Sequence, residues 1–341
     1  MAGGIGSRFW PMSTPETPKQ FLDILGTGQT MIQQTIKRLD GIVPIENVYI
    51  VTGKRYKALI NEQLPEVNDD QILMEPCMRN TAPCIAYAAY KINKKNPDAN
   101  IVVAPSDHLI TNDVEYKRII AEGLGFVDSD DVLLTLGIHP HRPETGYGYI
   151  QAGEPISEST KKVKAFKEKP DFETAQKYLS EGNYFWNAGI FLWSAKSILS
   201  AFERYLPKVA AVFKSGESVY YTDDEQVFID ERFPQCENIS IDYGIMEHAD
   251  NICVMPADFG WSDLGTWGSL WEKRDRDSDG NSVVGDAVKI YNCENNIITV
   301  PDGRKVVLQG LKDCIVTEAN GVFMVCQKSE EQRIKEFQKD S

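Results

Sequence analysis

Through its first half the chain alternates short runs of aliphatic and β-branched residues with longer stretches whose apolar residues fall at helical spacing. No other feature restricts the fold as much. The runs at 48–51, 72–74, 101–104 and 132–136 read as strands, and the stretches at 31–39, 56–64, 82–93 and 114–123 read as amphipathic helices. Strands joined through helices need crossover connections, so they pair in parallel. The pattern therefore predicts an α/β, doubly wound, Rossmann-like core. From Gly146 onward the signal mixes, with strands expected at 163–168 and 185–193 and helices at 172–179 and 196–205. A mixed sheet with an antiparallel extension follows from that change.

A chain of 341 residues exceeds one minimal domain. A Trp-rich helical stretch leads into the turn-forming run Asp275-Arg276-Asp277-Ser278-Asp279-Gly280-Asn281, which reads as a boundary. We therefore expect a core domain over 1–265, a helical linker over 266–281 and a small terminal domain over 282–341. Brief β runs at 283–285, 288–291, 297–300, 305–308, 314–317 and 322–326 fit a small β-solenoid better than a sandwich.

Composition removes several function classes. The net charge is −14 with no block of Lys or Arg, which disfavours a nucleic-acid surface or an anionic membrane. No apolar run reaches membrane-spanning length and no basic-then-apolar leader is present, so a cytoplasmic location is expected. The seven cysteines are scattered singly and read as reduced structural thiols. With only four histidines and flanking prolines, His139-Pro140-His141 reads as loop rather than metal site.

At the start of the chain stands Ala2-Gly3-Gly4-Ile5-Gly6-Ser7-Arg8. It lacks the third glycine of the dinucleotide fingerprint and the Gly-Lys-Ser/Thr ending of a P-loop. Closely spaced glycines nevertheless let backbone N–H groups turn inward around phosphate oxygens, and Arg8 adds a permanent planar cation. Lys19, just after Pro18, is within reach of the same anion. Directly after the strand at 101–104 comes Pro105-Ser106-Asp107-His108, at the carboxyl edge where doubly wound sheets bind ligands.

The run from Ala2 to Pro11, followed by Pro18-Lys19-Gln20-Phe21, resembles the signature of the sugar-phosphate nucleotidyltransferases. Trp10 and the Lys-Gln-Phe ending are similar to the mannose-1-phosphate guanylyltransferase branch. The resemblance implies nucleotide contacts at Ala2, Gly3, Gly4, Gly6, Ser7, Arg8, Ser106 and Asp107. It continues at Glu75-Pro76 and Arg79-Asn80-Thr81-Ala82-Pro83, similar to that branch's guanine- and ribose-contacting segment. A carboxylate at Glu75 suits guanine, which offers N1–H and a 2-amino group. Asn80-Thr81 also reads as a cap for the helix at Ala82, and both roles are compatible.

Further resemblances cover the sugar side. Gly146-Tyr147 lies in Pro143-Glu144-Thr145-Gly146-Tyr147-Gly148-Tyr149, Glu168-Lys169 in Phe166-Lys167-Glu168-Lys169-Pro170, and Asn187 and Gly189 in Trp186-Asn187-Ala188-Gly189. These imply hydroxyl contacts from Glu168 and Asn187 and a phosphate contact from Lys169; a solvated ion pair is the plainer reading of Glu168-Lys169 alone. Asp242, in Asp242-Tyr243-Gly244, either binds sugar or supports Asp263. The resemblance pairs Asp107 with Asp263 of Gly260-Trp261-Ser262-Asp263 as ligands of one Mg²⁺.

The implied reaction is attack by mannose 1-phosphate on the α-phosphorus of GTP, giving GDP-mannose and pyrophosphate, with Arg8 and Lys19 as catalytic cations. Rival readings are another pair, such as glucose 1-phosphate with UTP, dTTP or ATP, and a non-catalytic subunit of the same fold. The terminal β segment resembles the family's left-handed β-helix, which implies a homodimer. In the family a strand precedes the glycine loop; Met1 stands immediately before Ala2 here, so an apolar strand upstream of Met1 is expected.

Overall fold

The computed structural model describes residues 1–4, 7–167 and 169–340. The chain divides into two compact units that do not follow chain order. The first comprises Met1–Gly3, Arg38–Pro105 and Ile110–Trp261; the second comprises Gly4–Lys37, Ser106–Leu109 and Ser262–Ser341.

The first unit carries strands β1 (Ile50–Gly53), β2 (Ile72–Glu75), β3 (Asn100–Val103), β4 (Leu133–Ile138), β5 (Tyr149–Pro155), β6 (Lys161–Lys167), β7 (Tyr184–Ser194) and β8 (Ile252–Ala257). β1 and β2 form a parallel two-stranded sheet. The others form a six-stranded sheet in the order β3-β7-β4-β8-β6-β5. β4 pairs in parallel with β8, whereas β3–β7, β4–β7, β5–β6 and β6–β8 are antiparallel. The sheet is mixed, as the change of signal after Gly146 implies. Long β7 enters between β3 and β4, so those two strands never meet. β4 is buried along its whole length, as its run Leu-Leu-Thr-Leu-Gly-Ile requires of a strand covered on both faces.

Helices cover this sheet where the apolar spacing places them. The helix Thr81–Lys95 buries Ala82, Ile85, Ala86 and Ala89 at spacings of three and four, and ends on Lys94 and Lys95, which suit the negative end of its dipole. The helices Lys57–Gln63, Asp113–Ser129, Phe172–Glu181 and Ala195–Tyr205 also follow the sequence pattern. Strands β5 and β8 and helices Pro207–Lys214 and Glu225–Arg232 lie outside it. A buried ion pair anchors the last of these. Glu225 Oε1 meets Lys91 Nζ at 2.8 Å and accepts from Tyr87 OH at 2.6 Å, while its Oε2 accepts from the Tyr221 N–H at 2.7 Å.

The second unit carries β9 (Ser282–Val284), β10 (Val288–Tyr291), β11 (Ile297–Thr299), β12 (Val306–Gln309), β13 (Cys314–Ala319) and β14 (Val322–Gln327). β9, β11 and β13 pair in parallel and β14 closes that sheet in antiparallel fashion; β10 and β12 form a separate parallel pair. One apolar cluster joins Ile298, Val300, Cys314 and Val316 with residues of β10 and β12. A second joins Ile297, Ile315 and Met324 with Phe9, Leu264 and Trp267. Alternate residues of the larger sheet therefore serve two cores. All seven cysteines are free, and among the described residues no helix is long and apolar enough to cross a membrane.

Candidate active site

In the second unit, segments far apart in sequence meet around one ammonium group. Lys19 opens a short helical turn, Lys19–Phe21, whose residues are all buried. Its Nζ donates to the carbonyls of Asp263 at 2.7 Å and Leu264 at 3.3 Å, and pairs with Asp107 Oδ2 at 2.9 Å. Reciprocal backbone bonds join the Asp107 and Asp263 turns. The Leu109 N–H reaches Ser262 O at 2.9 Å and the Ser262 N–H reaches Leu109 O at 3.0 Å.

Burial alone would raise the Asp107 carboxyl, but Lys19 and His108 outweigh it and hold it below the usual carboxylate range. The Asp263 carboxylate accepts from the Gly265 N–H at 3.0 Å, and Arg8 Nη1 donates to Gly265 O at 3.4 Å. A Cβ at position 265 would stand 2.6 Å from Asp263 Oδ2 and 3.2 Å from Arg8 Nη1, so a side chain there would displace the Asp263 carboxylate. Beside Asp107, the Ser106 hydroxyl is buried with no hydrogen-bond partner among the described residues. Phe9, 1% exposed, packs on Trp267 with ring centroids 5.4 Å apart and so anchors the backbone next to Arg8.

This arrangement changes the reading of Lys19. The sequence suggests a cation free to meet phosphate, whereas its three donors are occupied by two carbonyls and a carboxylate. Arg8 is the exposed cation of the cluster. Gly4 is also exposed, with φ 92°, and its carbonyl accepts from Gln20 Nε2 at 3.4 Å. Gly6 and Glu168 lie outside the described residues, as does the side chain of Ser7.

The first unit holds the expected base and sugar residues. The Ala2 N–H donates to Val51 O at 2.8 Å and Ala2 O accepts from Thr52 Oγ1 at 2.9 Å; Gly3 is exposed. Glu75 ends β2, and its Oε1 is buried without a hydrogen-bond partner. Burial raises its pKa to about 7, with a partial offset from the chain's amino terminus. Asn80 precedes the helix Thr81–Lys95 at φ 65° and ψ −167°, a region almost reserved for glycine, and its side chain accepts from the Thr81 N–H at 2.9 Å. Thr81 Oγ1 accepts from the Ile241 N–H at 2.9 Å, and the Ala82 N–H donates to Ile239 O at 3.1 Å. Through these bonds the helix start is tied to the segment that leads into Asp242.

Asp242 in turn accepts from Asn187 Nδ2 at 2.9 Å, and Asn187 Oδ1 receives the Gly189 N–H at 3.0 Å and Thr135 Oγ1 at 3.2 Å. Asn187, Gly189 and Asp242 thus form one hydrogen-bonded set. Thr135, which the motif reading missed, fixes the amide's orientation; its signal was a polar residue within a fully apolar strand. Glu144 was also missed. Its carboxylate accepts from the Gly146 N–H at 3.0 Å and thereby shapes the loop carrying Tyr147. Tyr147 meets Trp186 and Trp261 edge-on, with centroids 5.2 and 5.1 Å apart. Lys169 is exposed at φ 41°.

A model of the nucleotidyl transferase family matches residues 1–280. The chain belongs to that family. This nucleotidyltransferase is 35% identical over 345 residues to the mannose-1-phosphate guanylyltransferase of Escherichia coli K12, covering 98% of this chain and 71% of that one. It is 36% identical over 344 residues to the mannose-1-phosphate guanylyltransferase ManC of Salmonella typhimurium LT2, with the same coverage. A solved structure described as a mannose-1-phosphate geranyltransferase from Thermus thermophilus superimposes with a TM-score of 0.89 at 29% identity, covering 100% of this chain and 97% of that one. The nucleotidyltransferase fold with its mixed sheet is thereby shown. Chemically, the second unit sets an exposed guanidinium at the Asp263–Gly265 turn, a charge suited to an anion.

Proposed function

We propose that this chain transfers GMP from GTP to mannose 1-phosphate, giving GDP-mannose and pyrophosphate. One observation carries the reading: Asp107, Asp263, Arg8 and the buried Lys19 converge in a single cluster, although Lys19 and Asp263 stand 244 positions apart. Sugar phosphate is already an anion at neutral pH, so the protein needs no general base. It must hold like charges together and in line. Arg8 stabilises the α-phosphate and departing pyrophosphate. Lys19 holds Asp107 ionised and the Asp263 turn in place, in addition to its expected pull on phosphate.

Asp107 and Asp263 would hold a divalent metal, Mg²⁺ on this reading. Two carboxylates completed by phosphate oxygens and water are a usual donor set for it, and it would supply charge neutralisation. Gly3, Gly4, Gly6, Ser7 and Ser106 complete the triphosphate contacts. Glu75 reads guanine, with Asn80, Thr81 and Ala82 around base and ribose. Asn187 and Gly189 place Asp242 against a sugar hydroxyl, Gly146 and Tyr147 line the sugar, and Glu168 and Lys169 take a hydroxyl and the sugar phosphate.

The terminal strands are proposed to form a short β-solenoid. In support, Asn296 bonds to Asn281 and Cys314 to Asn296 at separations of 15 and 18 residues, a near-constant step between parallel strands. Exposed Val307, Phe323 and Val325 on these strands support a homodimer. A cytoplasmic location belongs to the same reading.

The test is pyrophosphate release from each nucleoside triphosphate with mannose 1-phosphate and with glucose 1-phosphate. GTP with mannose 1-phosphate should be preferred. Equal or better release from glucose 1-phosphate with UTP, dTTP or ATP would replace this reading, and no release from any pair would favour a non-catalytic subunit. Asp263→Asn should fold normally and turn over far more slowly in saturating Mg²⁺; near-normal turnover would refute the assignment of Asp263.

A further inference from the structure

Two side chains of the C-terminal half hold the segment that carries Arg8 and Lys19, one at Pro11 and one at Ile24. On one side, Asn320 Nδ2 donates to Pro11 O at 2.8 Å. Asn320 and Gly321 form the tip of the β13–β14 hairpin with φ of 52° and 77°, the paired positive values of a tight two-residue turn. On the other side, Arg274 is buried; its Nη1 donates to Thr299 Oγ1 on β11 at 2.7 Å and its Nη2 to the carbonyl of Ile24. Two residues before Pro11, Phe9 sits in an apolar cluster with Trp267, Ile297, Ile315 and Met324. The terminal strands thus supply the Asn320 attachment and most of the apolar bed, and through Thr299 they brace Arg274, which caps the preceding helix Trp267–Lys273.

We propose that the Asn320 hairpin tip is a positioning clamp for the phosphate-handling segment, acting through Pro11 and Phe9 on Arg8. This assigns the C-terminal strands a part in the transfer step itself. It rests on the transfer reading above. Geometry supports it over simple packing. Asn is favoured at the first turn position for its backbone alone, and glycine would serve that need equally well. The amide adds a single directed bond to a buried carbonyl of the segment next to Arg8. Removing the amide while keeping the turn therefore isolates the clamp.

Asn320→Gly and Asn320→Asp both keep residues that tolerate the turn, and neither donates to Pro11 O. Each should fold with an unchanged thermal midpoint and lower kcat for pyrophosphate release by roughly 10- to 100-fold, the cost of a small misplacement of reacting groups. KM for mannose 1-phosphate should hold within about twofold, because binding is not what the clamp secures. In an Arg8→Lys background the same substitutions should cost little more, since the cation they aim is already altered. Hydrogen exchange of peptides within 9–22 should quicken in Asn320→Gly, whether or not substrate is present.

An unchanged kcat, a loss that multiplies fully with Arg8→Lys, or a loss that follows a lowered thermal midpoint would each overturn the proposal. So would unchanged exchange in 9–22. If the wild-type chain turns over no substrate pair, the transfer reading fails by itself, and the exchange measurement still decides whether the clamp exists.

Discussion

Replacing Glu75 by Gln should stabilise the protein at alkaline pH and leave it unchanged in acid. The carboxyl sits at the end of β2 with Oε1 buried and unpartnered, and burial moves its pKa from the ordinary 4.5 to about 7. Between those values the folded chain keeps a proton that the unfolded chain has released. Stability therefore falls as pH rises through that window and levels off above it. A shift of that size corresponds to about 3 kcal/mol at full development, of which about 2.5 kcal/mol accrues between pH 5 and pH 8. Glutamine matches the shape of the protonated acid and does not titrate. Urea midpoints of wild type and Glu75→Gln, measured at both pH values, should diverge by that amount, and comparing the pair cancels the groups they share. Parallel curves would refute the burial argument. Binding gives a second check, because a guanine N1–H favours the ionised acid. GTP should displace a proton at pH 6, visible by calorimetry in buffers of different ionisation heat, and Glu75→Gln should abolish that displacement.

Asn80 holds backbone angles that cost an L-residue roughly 1–3 kcal/mol, so Asn80→Gly should raise the urea midpoint while weakening GTP binding; a destabilised variant would show that its cap outweighs the strain. Lys91→Met leaves Glu225 buried against Tyr87 and the Tyr221 N–H without its cation, and should cost about 3–5 kcal/mol in denaturant. Adding Glu225→Gln should recover much of that loss; a single variant within about 1 kcal/mol of wild type would contradict the assigned burial.

How far the fold could be read from sequence depended on how local each element's cause is. The helix Thr81–Lys95 announces itself through Asn80, apolar residues at helical spacing and terminal lysines, all within one window. Strand β7 was legible because its apolar run outlasts any turn signal. Strand β8 was not, because Ile252–Ala257 is a short apolar stretch that periodicity alone does not assign, and its role comes from pairing with β4. The mixed sheet was foreseen only in kind; the placement of β7 between β3 and β4 depends on pairing between distant segments.

The candidate site divides along the same line. Residue type and position were enough to single out Arg8, Lys19 and Asp107 as candidates, because phosphate chemistry needs cations and acidic ligands on turns, whereas Asp263 was reached only through the family resemblance. Only the tertiary structure put Lys19 Nζ between Asp107 and the Asp263 carbonyl, through the Leu109–Ser262 bridge. Asn320 was invisible in sequence, and Thr135 showed only as a polar residue in an apolar run, for a related reason: each matters through a hydrogen bond to a residue far along the chain. Local chemistry is written in local sequence, whereas the partner of a directed bond is chosen by how the chain packs.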